Sequence, residues 1–160
     1  MNLLLILFTS LMLNNDTITI KSPSFKPHNP IPEKYSCMGN GVNPELNFLN
    51  VPKNTKTLAL IMDDPDAPKG TFVHWVMWNI PAWGNVAEDS APGIQGLNGK
   101  NENKYAGPCP PSGTHHYHFK VYALDISLEL TAATTDKAGL LKAMEGHILA
   151  TGELIGTYQK

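Results

Sequence analysis

Apolar and polar positions along this chain form blocks and two-residue alternations more often than helical steps. Thr17 to Ser22 alternates as a short strand. Thr57 to Met62 (TLALIM) is a continuous apolar run closed by Asp-Asp-Pro, the profile of a strand buried on both faces. Phe72 to Ile80 (FVHWVMWNI) reads the same way and stops at Pro81. His115 to Leu124 (HHYHFKVYAL) carries β-branched and aromatic residues in strand-like order. Between these runs the chain is punctuated. Ser22 to Pro32 holds four prolines, which lack the N–H that a central strand must donate, so it is extended loop. Ser90 to Tyr105 is polar, rich in Gly and Asn and without period, hence also loop. A helical period emerges from Thr135 onward, where Leu140, Leu141, Met144, His147 and Ile148 recur at three- and four-residue steps. Thr135 serves as its N-cap, Asp136 suits the positive end of the dipole, and Gly152 marks its end. Glu153 to Tyr158 then returns as a last strand. Strands separated by long loops predict a mainly β chain, an antiparallel β-sandwich with short helices, one near the C-terminus.

The N-terminal stretch stands apart. Met1 to Leu13 (MNLLLILFTSLML) is nearly all apolar, too short to span a bilayer as a helix but of the length of a signal-peptide core. No Lys or Arg precedes it and no A-x-A site follows, so two readings stay open: an export signal, or an extra apolar segment. Residues 1–15 are therefore set aside as leader and 16–160 taken as one domain. Export would place the mature chain in the periplasm, without stable membrane insertion once the leader is removed; otherwise it is cytoplasmic. The 160 residues suffice for one core. A net charge of −2, with no run of Lys or Arg, excludes a phosphate-tracking surface and hence nucleic acid. The two cysteines, Cys37 and Cys109, fit neither a CxxC pair nor a zinc cluster; a disulfide and two partly buried thiols are both compatible with their spacing.

Polar residues that interrupt apolar strands are the informative ones. Asp63, Asp64 and Asp66 crowd the end of the first long strand (DDPDAP), more carboxylates than a turn needs for its amides. His74 sits inside an apolar run, where a histidine is either a paired core residue or a ligand group. In GPCPPSGTHHYHF, the two-residue period puts His115 and Tyr117 on one face and His116 and His118 on the other. Prolines make the loop before them a shaped wall, while Gly113 and Thr114 could offer amides. His116-x-His118 has the spacing of a metal pair, but no Glu follows where a third ligand belongs. Asp64, His74 and Ser112 could compose a hydrolytic triad, yet no G-x-S-x-G elbow is present.

Three blocks, DPDAP (Asp64–Pro68), FVHWVMWNIP (Phe72–Pro81) and GPCPPSGTHHY (Gly107–Tyr117), resemble the signature segments of the phosphatidylethanolamine-binding family. IPEKYSC, NPELNF and KAMEGHILATGELIGTY are similar to its bacterial and archaeal Raf-kinase-inhibitor-like branch. The resemblance runs from about Ile18 to the end. It implies an antiparallel β-sandwich with one small anion-accepting cavity, ringed by Asp64, His74, Gly107, Pro108, His115 and Tyr117, with Asp66 and Cys109 as neighbours. It further implies a non-catalytic binder of a small anionic or phospho-head-group ligand, no cofactor, and a protein target such as a kinase or protease in some relatives. His116 departs from the pattern, since family members commonly carry Arg there. Phe48 replaces a frequent Trp, and the segment before GPCPP is shorter. Neither a protein target nor an oligomeric state is legible.

Overall fold

The computed structural model describes residues 17–160. It contains seven strands and one α-helix: β1 (Thr19–Lys21), β2 (Asn47–Leu49), β3 (Thr57–Asp64), β4 (Phe72–Pro81), β5 (Ile94–Gln95), β6 (Thr114–Leu124), α1 (Lys137–Met144) and β7 (Ile148–Gln159). A single 3₁₀ turn covers Glu33–Tyr35. The strands form two antiparallel sheets, a five-stranded one in the order β5-β4-β3-β6-β7 and a two-stranded β1-β2 ribbon. The long apolar runs occupy the centre of the large sheet, and all eight residues of β3 are buried. A mainly β, antiparallel fold is thus observed, with the most apolar runs in its innermost strands.

Period-2 alternation divides this sheet between two cores. Leu58, Leu60 and Met62 of β3 join Trp75, Met77, Phe119 and Val121 in a large cluster closed by Ile18, Ile20, Phe25 and Ile31 from the N-terminal segment. Ala59 and Ile61 point the other way, toward Val76, Trp78, Leu124, Leu128, Leu140 and Met144, under α1. Both faces of β3 are therefore dry, which explains its unbroken apolar run. Among the described residues no helix is long and apolar enough to cross a membrane. The leader lies outside them.

Several expectations need correction. The helix begins after Asp136, whose side chain accepts from the Gly139 amide at 2.9 Å, so Asp136 and not Thr135 is the N-cap. It ends at Met144, well before the expected Gly152, because Gly146 adopts φ +79° and turns the chain. His147 and Ile148 fall outside it, and Gly152 lies inside β7 opposite Val121. A helical period running on into a half-buried strand misled the pattern, since Met144 and Ile148 satisfy either geometry. Two short elements, β2 and β5, were not foreseen; β5 interrupts the expected loop from Ser90 to Tyr105.

Candidate functional site

The end of the large sheet carries a cavity of about 310 Å³ lined by Asp64, Ala67, Pro68, Phe72, His74, Lys100, Ala106, Gly107, Cys109, Pro110, Pro111, His115 and Tyr117. Three strands deliver its polar groups: Asp64 from β3, His74 from β4, and His115 and Tyr117 from β6. Other depressions exist, but this one gathers buried titratable side chains from separate elements.

His74 arrives by a bulge. Along β3 and β4 Met62 opposes Trp75, whereas Asp63 opposes Val73, leaving His74 as the extra residue. Trp75 keeps its place in the large core and Val73 packs on the α1 side, while His74 turns to the cavity. Its Nδ1 lies 2.7 Å from the Ala106 carbonyl oxygen. A carbonyl only accepts, so Nδ1 carries the proton and Nε2 presents a lone pair whenever the ring is neutral. Burial pushes the His74 pKa down, against the opposing pull of the Ala106 carbonyl and of Asp64.

His115 is buried, with Nδ1 at 2.7 Å from Asp64 Oδ2. The other Asp64 oxygen accepts from the Asp66 amide at 2.9 Å, which closes the turn after β3. Asp64 thus orients the His115 ring, and the same donor logic leaves His115 Nε2 as its remaining nitrogen. Tyr117, fully buried, sets its ring edge-on to His74 at 5.1 Å between centroids. Its hydroxyl has no hydrogen-bond partner among the described residues. Burial raises its pKa first, with Asp64 adding to the rise and the nearby Cys109 amide opposing it, so the phenol stays protonated and able to donate.

The wall opposite is the Gly107–Pro111 loop, and Cys109 in it forms a disulfide with Cys37, 72 residues away. Of the two readings of these cysteines, the bridge is the one observed. Gly107 passes so close to the 3₁₀ turn that a Cβ there would lie 2.5 Å from the Tyr35 carbonyl oxygen. Pro108, expected beside the cavity, does not line it; its carbonyl accepts from the Cys37 amide at 3.0 Å and so holds the loop from behind. Asp66 is likewise off the lining. Its Oδ2 takes both the His116 amide at 2.8 Å and His116 Nδ1 at 2.7 Å, and that hydrogen-bonded histidine holds its carboxyl below the usual range. The structure therefore brings six of the expected residues together, Asp64, His74, Gly107, Cys109, His115 and Tyr117, and sets Asp66 and Pro108 just behind them.

The two rival arrangements fare differently. His116 and His118 do share the outer face, but each is tied to a carboxylate, Asp66 and Glu153, at 2.7 and 2.8 Å. No cluster of three metal-ligating side chains occurs among the described residues. Asp64 hydrogen-bonds His115 rather than His74, and Ser112 is exposed, so the Asp64–His74–Ser112 triad is not assembled. Residues absent from the sequence reading also line the cavity: Phe72, Ala106 and above all Lys100, which sits in a stretch whose only sequence signal is that of a loop.

A family model described as phosphatidylethanolamine-binding protein matches residues 21–159. The chain belongs to the phosphatidylethanolamine-binding protein family. A UPF0098 protein of Chlamydia trachomatis is 45% identical over 148 residues, spanning 88% of this chain and 98% of the relative. One from Pyrococcus abyssi is 48% identical over 141 residues, 81% of this chain and 79% of the relative. The crystal structure of a phosphatidylethanolamine-binding protein homolog from Chlamydia trachomatis superposes with a TM-score of 0.86 at 43% identity, covering 91% of this chain and 99% of that one. Escherichia coli YbcL, described as a member of the mammalian family, gives 0.82 at 28% identity, with 89% and 98% coverage. The two-sheet architecture is thus that of phosphatidylethanolamine-binding proteins, and the cavity lies among the blocks that carried the resemblance.

Proposed function

We propose that this family member binds a small phosphate-bearing ligand, a phosphoethanolamine-type head group or free phosphate, in the Asp64–His74–His115–Tyr117 cavity, and does not transform it. The observation that carries this reading is the Tyr117 hydroxyl, fully buried and unpartnered beside two histidine rings. Set in the cavity lining, that hydroxyl is a donor that no side chain takes up, and a ligand oxygen would accept it. The histidines refine the chemistry. Their protons on Nδ1 are committed to Ala106 and Asp64, so each Nε2 accepts in the neutral ring. At these two nitrogens a ligand group that brings a proton, a phosphate hydroxyl or an ammonium, fits better than an oxygen without one. Asp64 supplies the negative charge an ammonium would meet. The bridged Cys109 has no thiolate, and Asp64 is held by His115 and the Asp66 amide, so neither is free to attack a bound ligand.

The disulfide favours an oxidising compartment, in keeping with an export reading of the leader. A second reading, a protein-directed inhibitor of a kinase or protease, draws on Trp83, which is 90% exposed on the turn after β4 and resembles an interface anchor. Calorimetric titration with phosphoethanolamine, inorganic phosphate and short-chain phosphatidylethanolamine separates the two. Saturable binding that Tyr117→Phe and His115→Ala weaken supports the pocket; no heat with any of the three removes it.

A further inference from the structure

Anion binding at this cavity raises a charge problem. Asp64 is ionisable and lines it, and His74 is driven toward its neutral form by burial. His116 is exposed on the outer face and engaged by Asp66. A cation must come from elsewhere if a phosphate group is to be held.

Lys100 is that cation in place. It lines the cavity although it lies 26 residues beyond His74 in a segment with no secondary structure. Lys34, Lys104, Lys120 and Lys137 each contact a carboxylate, whereas the Lys100 ammonium contacts none among the described residues. Its backbone is firmly held. The buried Asn98 side chain accepts from the amides of Lys100 at 2.8 Å and Glu102 at 3.1 Å, and donates to the Lys104 carbonyl at 2.9 Å. The Gly99 amide bonds the Val73 carbonyl at 2.8 Å, anchoring the loop to β4 one residue before the bulged His74. The Lys100 charge also reaches the cavity wall, adding to the depression of the His74 pKa.

Building on the phosphate reading, we propose that Lys100 is the specificity-determining cation of the cavity: it holds the phosphate group of the ligand and favours phosphate monoesters over diesters. Its single charge offsets Asp64, so that the cavity tolerates an anion, and its pull grows with the ligand's own negative charge. A monoester, which carries a second ionisable oxygen, gains more from it than a singly charged diester. Asn98 is a positioning residue, acting through the loop it ties.

The test titrates the folded protein with inorganic phosphate, phosphoethanolamine and dimethyl phosphate, in wild type, Lys100→Met, Lys100→Arg and Lys142→Met. The last variant removes an equal charge from the exposed face of α1. Because Lys100 is solvent-exposed, the expected loss for Lys100→Met is about fivefold on the two monoester-type ligands. Dimethyl phosphate should change less, Lys100→Arg should restore affinity, and Lys142→Met should match wild type. Equal melting temperatures across the set show that the loop has not collapsed. Wild-type affinity in Lys100→Met, or an equal loss in Lys142→Met, overturns the assignment and leaves the cavity reading standing. If wild type binds none of the three, both fall.

Discussion

Asp63 and Asp64 are adjacent on β3, both buried, and they face different worlds. Asp63 points toward α1, where Lys120 reaches its carboxylate at 3.0 and 3.2 Å and Lys137 at 2.5 Å. Burial works to raise its pKa, yet the two ammonium groups prevail and hold it below the ordinary value. Asp64 points to the cavity, where its one side-chain partner is a histidine that itself presents a spare nitrogen, next to a phenol with no partner. The first region is a closed circuit of charge; the second is an open one. Saturated polar groups brace a fold, and unsatisfied ones wait for something the chain does not supply.

The contrast can be broken by mutation. Asp63→Ala leaves two ammonium groups without their carboxylate and should cost about 3 kcal/mol in urea unfolding, while the ligand affinity of the folded protein stays put. Asp64→Ala should show the reverse balance, about 1–2 kcal/mol of stability and most of the binding. Equal stability losses with unaltered affinity in both would erase the distinction. Removing the bridge in a Cys37→Ser/Cys109→Ser protein should lower stability by about 2–3 kcal/mol and weaken binding as well, because the bridged loop is a cavity wall; calorimetry and thermal melts on the same sample check both. Tyr117→Phe is the sharpest discriminator at small amplitude. Deleting an unpaired buried hydroxyl should leave stability unchanged or raise it by up to about 1 kcal/mol, with affinity reduced. A clear destabilisation would mean that the hydroxyl already has a partner.

Acid should take the two regions apart in sequence. His74 is depressed in the fold relative to its ordinary value of 6.5, so the unfolded chain binds the proton more readily. Its contribution is fully present above pH 6.5 and is lost as pH falls from there toward its folded value. Asp63 is depressed from 3.8, so its contribution persists above that pH and disappears only as pH falls through its lower folded value. Melting temperatures recorded from pH 8 to 3 for wild type and His74→Gln should differ in slope below about pH 6.5 and not above it. Parallel curves would show that His74 is not held neutral by its burial.

Much of the large sheet could be read from the chain because β3 and β4 are buried along apolar runs and β6 alternates with the strand period, and burial writes itself into composition. The pairing of His115 with Tyr117 on one face followed from the strand period alone. The short elements β2 and β5 left no such mark, since two or three residues cannot establish a period. The helix end was misplaced for a related reason: Met144 and Ile148 keep the helical step, and only the positive φ of Gly146 breaks it.

What the sequence determined by itself was the family, the antiparallel β class and the cluster of groups Asp64, His74, His115 and Tyr117, each lying in a local pattern with a short-range physical cause. Tertiary structure decided the rest. It paired Asp64 with His115 instead of His74, closed the Cys37–Cys109 bridge, left Asp66 and Pro108 off the lining, and brought Lys100 into it. These outcomes depend on a bulge, a disulfide and an asparagine-tied loop that join residues distant along the chain. No local period encodes such meetings, because they are set by how whole elements pack.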